Sequence, residues 1–476
     1  MKNLSEVLKK SILATFEGNM SYVDFMKQLI GKFNNKYNNK YIVTCNRCSN
    51  FINKPKDIPF SLDLKDLKDV DRFDLIGCQG ISGRGGSLQN YNIRGYYFKS
   101  KNKQWAVSYL ASKNREKENV RDKTLTLLLG DNFYSDGLGH HKRFSSFNPA
   151  TSKTFAKNFT NMEYGRSYAI LGNHDWGLWS KGSDENSEYK LKLALNQVYA
   201  CYDDSDQTKD WNMPNRYYHF TTDKADFYCI DSTSYCYDKE QQGWLRSIYD
   251  KQNELCKNKW QILVSHHALI SIAKRNPYNT HNNKAQRDGY KYSQFFQYDK
   301  KITDFSQFPP FETHNELLRK ALCQFKFDIV LSAHDHTLAG YYINTTINTD
   351  ARNIADPSRP LHQTFQVVSG GGGAHIEKTR EQYIKVLKMK NYLVQPNNPK
   401  DRIVPGIIRH VNHKNNPILN EGYLLNDTYG YVCMYIHKDY IDFDYHMLNN
   451  GHDRIRVNRI PEIARIKALP QQMWTC

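Results

Sequence analysis

A chain of 476 residues, 39% hydrophobic and 13% aromatic, is long enough to bury a large core and too apolar to be disordered. Its formal charge of +17 suits acidic partners such as phosphorylated molecules, although heavy use of Lys, Asn and Tyr throughout accounts for part of that balance. No apolar run approaches the length of a membrane span, and ten scattered cysteines do not make a disulfide-dense scaffold.

The first twenty residues place Leu4, Val7, Leu8, Ile12 and Phe16 on one face of a basic helix. They lack the apolar core of a secretory signal, so the chain is read as intracellular. The cytoplasm is the default compartment; the basic helical start raises the mitochondrion as a second. Cys45 and Cys48 form a lone CxxC without a second pair at zinc spacing, and read as two ordinary thiols. Residues 1–70 as a whole read as a helical extension with a strand-like YIVTC.

From residue 71 the pattern becomes strand, polar loop, helix. Short continuous apolar runs mark strands at 72–77, 125–130, 167–172, 226–231, 260–265, 327–332 and 364–370, as expected for strands buried on both faces. Helices are predicted at 185–200, 239–256 and 314–325. Residues 276–312 are polar and turn-rich and read as an insertion. Residues 431–448 read as a closing pair of antiparallel strands, and 449–476 as a basic tail. Alternating strands and helices imply an α/β layered architecture, with one catalytic-type domain over 71–448.

Four strand ends carry residue types that ligate metals. GDNFY gives Asp131, Asn132 and Tyr134, GNHDWG gives Asn173, His174 and Asp175, SHHALIS gives His266 and His267, and AHDHT gives His334 and His336. Each follows an apolar run, so each is expected at the carboxyl edge of a strand, where open α/β sheets hold their ligands. In an extended His-Asp-His segment both imidazoles fall on one side. Carboxylate, phenolate, amide oxygen and imidazole together suit iron, zinc or manganese rather than a thiolate zinc knot. Two such cations can clamp a phosphoryl group and activate water, with a carboxylate between them for which Asp131 is the natural candidate.

These motifs, together with MPNRYYHF (213–220), FYCIDSTS (227–234), QGWL (242–245) and VVSGGGGAH (367–375), resemble the calcineurin-like metallophosphoesterase superfamily, and within it the purple (tartrate-resistant) acid phosphatase branch. The resemblance spans roughly residues 72 to 447. It implies a four-layer αββα sandwich of two mixed β-sheets flanked by helices, with a dinuclear site between the sheets. By the same resemblance Asp131 bridges both metals, Tyr134 and His336 hold the first, which is ferric iron in this family, and Asn173, His266 and His334 hold the second. His174 faces the substrate phosphate. His267 and Asp175 have no settled place; either orients a ligand through a hydrogen bond.

The sequence departs from the family at two points. The first motif, a strand followed by Gly-Asp-x-Gly, reads GCQG here, so Cys78 stands where the first metal has its own aspartate. Three readings stay open: a thiolate ligand favouring zinc over ferric iron, a water in the gap, or an empty first site. Nine residues after His266, where the family has a second substrate-facing histidine, stands Arg275, which holds phosphate but does not donate a proton.

Two functions follow. One is hydrolysis of phosphate monoesters by metal-bound hydroxide, with one or two metal ions and a phosphorylated small molecule or phosphoprotein as substrate. The other is an inactive pseudo-phosphatase, a structural or interaction subunit of a larger complex that meets other protein subunits. No sequence-specific nucleic-acid module is present in the sequence.

Overall fold

The computed structural model describes residues 41–43, 61–64, 70–79, 89–93, 96–100, 102–134, 137–139, 153–177, 187–201, 206–255, 259–271, 273, 314–322, 324–344, 363–376, 408–411, 423–449 and 451–459. The strands in chain order are β1 Tyr41–Val43, β2 Ser61–Leu64, β3 Arg72–Ile76, β4 Gln89–Ile93, β5 Tyr96–Ser100, β6 Thr124–Leu128, β7 Ser167–Ala169, β8 Trp211–Asn212, β9 Tyr218–Thr221 and β10 Ala225–Cys229. They continue with β11 Trp260–Val264, β12 Ile329–Ser332, β13 Leu338–Asn344, β14 Gln363–Ser369, β15 Ile408–Val411, β16 Tyr423–Asn426, β17 Gly430–Ile436, β18 Tyr440–Met447 and β19 His452–Asn458. Four longer helices are α1 Lys103–Lys117, α2 Ser187–Cys201, α3 Lys239–Leu255 and α4 His314–Leu322.

Two mixed sheets result. One has nine strands in the order β1-β2-β9-β10-β11-β12-β14-β13-β16, the other eight in the order β15-β19-β18-β17-β3-β6-β7-β8. The centre of each is parallel: β10, β11, β12 and β14 in the first, β3, β6, β7 and β8 in the second. Every residue of β3, β6, β10, β11 and β12 is buried, which is why these strands show as unbroken apolar runs in the sequence.

The sheets pack face to face. Phe73 meets Phe227 with ring centroids 4.8 Å apart, and Phe365 meets Phe443 at 5.5 Å. Polar stitches cross the same interface: the Ser369 hydroxyl donates to the Leu75 carbonyl at 2.6 Å, and Gly77 N–H donates to the Ser369 carbonyl at 2.9 Å. Helix α1 covers the outer face of the eight-stranded sheet, where Asn114 donates to the Tyr431 hydroxyl at 2.6 Å. Helix α3 covers the outer face of the nine-stranded sheet, with Tyr249 tilted against Tyr228 and edge-on to Phe327. The order helix, sheet, sheet, helix is the four-layer αββα sandwich implied by the sequence motifs.

Several elements escape a reading of the sequence. Helix α1 is capped by Asn102, whose side-chain oxygen accepts from Trp105 N–H at 3.0 Å. Its buried face mixes Ala106, Val107, Leu110 and Ala111 with Asn114 and Arg115, so its apolar stripe is interrupted. The stretch read as a basic tail begins with β19, which pairs antiparallel with β18. In β19 the alternation of Asp453, Ile455 and Val457 inward with His452, Arg454 and Arg456 outward is a strand pattern hidden by its arginines. Strand β1 falls within the strand-like YIVTC, whereas β2 was not foreseen; both extend the nine-stranded sheet from the region otherwise read as a helical extension. The basic helix over residues 4–16, the CxxC, the insertion over 276–312 and Arg275 lie outside the described residues.

Candidate metal centre

The candidate ligands stand on loops at the carboxyl ends of parallel strands from both sheets. Cys78 follows β3, Asp131 follows β6 and Asn173 follows β7, all in the eight-stranded sheet; His266 follows β11 and His334 follows β12 in the other. The gap between the sheets therefore brings five short loops together.

Asp131 lies at the middle. Its Oδ2 accepts from the Tyr134 hydroxyl at 2.8 Å, and its Oδ1 accepts from the backbone N–H of His174 at 2.9 Å. The same Oδ1 lies 3.3 Å from Nε2 of His266. His266 Nε2 is in turn 3.3 Å from Asn173 Oδ1 and 3.1 Å from His334 Nδ1. Potential ligand atoms of Asp131, His266 and His334 all fall within 4.8 Å of one another, and so do those of Cys78, Asp131 and His336. Asp131 belongs to both groups. Tyr134 joins the second, its hydroxyl 3.4 Å from His336 Nε2.

The tautomers are set from outside each group. His266 Nδ1 lies 2.8 Å from the Leu129 carbonyl and His336 Nδ1 lies 2.7 Å from the His375 carbonyl. A carbonyl only accepts, so each Nδ1 carries hydrogen and each Nε2 is turned toward the shared space.

Electrostatics agree with this geometry. Burial works against ionising Asp131, yet His266 and His174 outweigh it and hold its carboxyl well below the usual range. Burial likewise opposes charge on His266, but Asp131 pulls its pKa upward. The buried pocket thus favours positive charge beside Asp131, as a cation site requires. The donor set fits two cations: carboxylate, amide oxygen and two imidazoles on one side, and carboxylate, phenol, imidazole and thiol on the other.

Backbone strain marks the same residues. Among the described residues four non-glycines have positive φ: Cys78 at 52°, Asn119 at 52°, Asp131 at 56° and His334 at 62°. Three of them are candidate ligands. A left-handed backbone costs an L-residue roughly 1–2 kcal/mol, and such strain collects at functional sites. Cys78 is held in this posture by two hydrogen bonds, its N–H to the Gly130 carbonyl at 3.0 Å and its carbonyl from Ala374 N–H at 2.9 Å. Asp74, the acid nearest to Cys78 in sequence, does not replace the missing carboxylate. It is buried against Arg72 and Arg115, with Arg115 NH1 at 2.7 Å.

Asp175 falls in neither of these two candidate groups. Its carboxylate accepts from the backbone N–H groups of Gly172 at 2.8 Å, Asn132 at 2.9 Å and Phe133 at 3.0 Å, and so shapes the turn that presents Asp131. Burial and the Asp131 charge push its carboxyl up to about 7 against those donors. His267 also stands behind the ligands. Its Nδ1 is 2.9 Å from the Ser232 hydroxyl, and its ring packs on His334 with centroids 4.2 Å apart. His174 is half-buried, its ring 4.2 Å from that of Tyr134.

Of three supporting residues, Asn132 was read in the sequence as a ligand type, whereas Gly172 and His314 were not singled out. Asn132 donates to the Ile170 carbonyl and to Gln197 and accepts from Gln79 Nε2 at 2.8 Å, tying three loops together. Its position inside GDNFY was the available signal. Gly172 allows a close approach: a Cβ there would lie 2.3 Å from both the N and the Oδ1 of Asp131. His314, at the start of α4, donates to the Ser232 carbonyl at 2.8 Å and packs on His267; nothing in its local sequence marks it.

Residues 106–338 match the calcineurin-like phosphoesterase family. Purple acid phosphatase 17 of Arabidopsis thaliana is 25% identical over 177 residues, 36% of this chain and 48% of the relative, so the match spans about half the relative's length. Among solved structures, GAP50, described as the anchor in the inner membrane complex of Plasmodium, aligns with a TM-score of 0.42 at 13% identity, covering 84% of this chain and 95% of that one. A purple acid phosphatase from yellow lupin (Lupinus luteus) seeds aligns with a TM-score of 0.44 at 13% identity, covering 85% and 57%.

Proposed function

We propose that this chain, whose residues 106–338 match the calcineurin-like phosphoesterase family and which resembles the purple acid phosphatases, hydrolyses phosphate monoesters at the centre built around Asp131. The observation that carries the reading is the sharing of Asp131 by two ligand groups, one drawn from both sheets through His266 and His334, the other through Cys78 and His336. When bound, two cations there supply a clamp for phosphoryl oxygens and lower the pKa of an attacking water.

The chain's own residues divide the remaining work. Asp131, Asn173, His266 and His334 hold one cation; Asp131, Tyr134, His336 and Cys78 hold the other. In this reading Cys78 is a thiolate ligand, since it keeps the strained left-handed backbone that Asp131 and His334 also adopt. A thiolate shifts that position toward zinc and away from ferric iron. His174, fixed through its backbone N–H to Asp131 and half-exposed, faces the phosphate and delivers a proton to the departing alcohol. Arg275 adds a fixed positive charge for the phosphate. Asp175 and His267 position the loops and make no contact with substrate.

A second reading is favoured by Cys78 alone. Exchanging a carboxylate for a thiol removes a hard anionic ligand, and a centre that holds cations without turnover would leave an interaction subunit of a larger assembly.

The two readings part in one experiment. The purified full-length chain is assayed for bound metals and for hydrolysis of an aromatic phosphate monoester, beside His174→Ala. Two metals per chain with turnover that drops on the order of 100-fold in the variant supports the enzyme. Metals retained without turnover in the parent chain rejects it in favour of the second reading.

A further inference from the structure

We infer that the β18–β19 hairpin carries a separate cation site, in which Asp444, His446 and His452 bind a divalent transition metal of the zinc class. Potential ligand atoms of these three residues lie within 4.8 Å of one another. The strand register explains the grouping. Asp444 and His446 are two apart on β18 and share a face, and His452 on β19 is the direct cross-strand partner of His446. The two imidazoles stack with centroids 4.8 Å apart.

The face is the outer one, away from the centre around Asp131. Tyr445, between the two ligands, donates its hydroxyl to the Ala339 carbonyl at 3.2 Å, and Phe443 packs on Phe365; both reach the opposite sheet. Asp444 and His446 therefore point the other way, toward the layer of α1. There His446 rests on Tyr431, whose hydroxyl accepts from Asn114 of that helix. The ring of His446 thus stacks with both Tyr431 and His452, its two cross-strand partners.

Asp444 is also gripped by Arg454, whose Nε and NH2 donate to its two oxygens. That fork engages one edge of the carboxylate. Oδ2 still lies 3.5 Å from His452 Nε2, on the side where a cation would sit. A ligating carboxylate fixed by an outer hydrogen-bond donor is the usual arrangement in metal sites. Two imidazoles and one carboxylate make three protein ligands, and the 46% exposure of the His452 side chain admits water as the fourth. Ligand atoms of a tetrahedral zinc stand about 3.3–3.5 Å apart, and the His452 Nε2 to Asp444 Oδ2 pair already has that spacing. A bound cation would tie the end of the hairpin.

The test compares zinc content of the full-length chain and of His452→Ala after dialysis against the same free Zn2+, each with and without Asp131→Asn. The expected result is one zinc fewer per chain in His452→Ala, and the same difference in the Asp131→Asn background, whatever the Asp131 centre itself retains. Loaded with Co2+, the parent chain should show visible ligand-field bands that the His452→Ala chain loses in part. Equal zinc content in parent and His452→Ala overturns the proposal. So does a zinc gained only on Arg454→Met, since the guanidinium would then hold the carboxylate in place of a metal.

Discussion

His266 Nε2 stands 3.3 Å from Asp131 Oδ1, although one residue follows a strand of the nine-stranded sheet and the other a strand of the eight-stranded sheet. The contact spans the seam of the sandwich at the one edge where strands of both sheets end together. Asp131 is 1% exposed and His266 fully buried, so each partner left alone would meet the full cost of burying a polar group.

Asp131→Asn keeps the volume and removes the charge that both ligand groups share. The expected outcome is loss of at least one metal per chain and a fall in phosphate-ester hydrolysis on the order of 100-fold or more. Metal analysis and a turnover assay on the same preparation check it. Undiminished metal content would show that Asp131 is not the common ligand.

Gly172→Ala should unfold or distort the centre without replacing any ligand. The added Cβ would lie 2.3 Å from backbone and side chain of Asp131, and neither has room to retreat from its hydrogen bonds. Destabilisation of about 2–4 kcal/mol is expected in urea unfolding, together with weaker metal binding. A variant as stable as the parent would contradict the close packing of the two loops.

His314 gives the fold a pH dependence of its own. Burial pushes its pKa down to about 4, whereas an unfolded histidine titrates near 6.5. As pH falls below the unfolded value, the unfolded chain takes up a proton that the folded chain refuses. Stability from this group is therefore full above about pH 6.5 and declines between there and pH 4, by about 2 kcal/mol at pH 5. Comparing unfolding free energy at pH 7.5 and pH 5 tests it against His314→Gln, which still offers a donor to the Ser232 carbonyl. The parent should lose about 2 kcal/mol more than the variant; equal losses would place the titration elsewhere.

Cys78→Asp restores a hard anionic ligand beside Asp131 and His336. Aspartate tolerates the left-handed backbone at this position at least as well as cysteine, so the fold should survive. The expected outcome is a shift of metal preference from zinc toward ferric iron, seen as a visible tyrosinate absorption from Tyr134, with higher turnover. An unchanged metal preference would show that the thiol takes no part in the centre.

The sequence by itself determined the parallel core and the ligand types. Strands such as β6 and β11 are buried on both faces, so their composition alone reports them, and a polar cluster directly after such a strand must sit at its end. It did not determine α1, whose buried face includes Asn114 and Arg115, or β19, whose outward arginines mask an alternating strand. The buried Asn114 is met by Tyr431 from a distant segment, and the outward, partly exposed Arg454 pairs with Asp444 across the hairpin. The same holds at the metal centre. That Asp131 falls in two candidate ligand groups, that Asp175 accepts from backbone N–H groups of its own loop and of the Asp131 loop, and that Asp74 pairs with Arg72 and Arg115 were decided by tertiary structure. Residue type and spacing state what a side chain is able to bind; only the packing of the two sheets decides which partners come within reach.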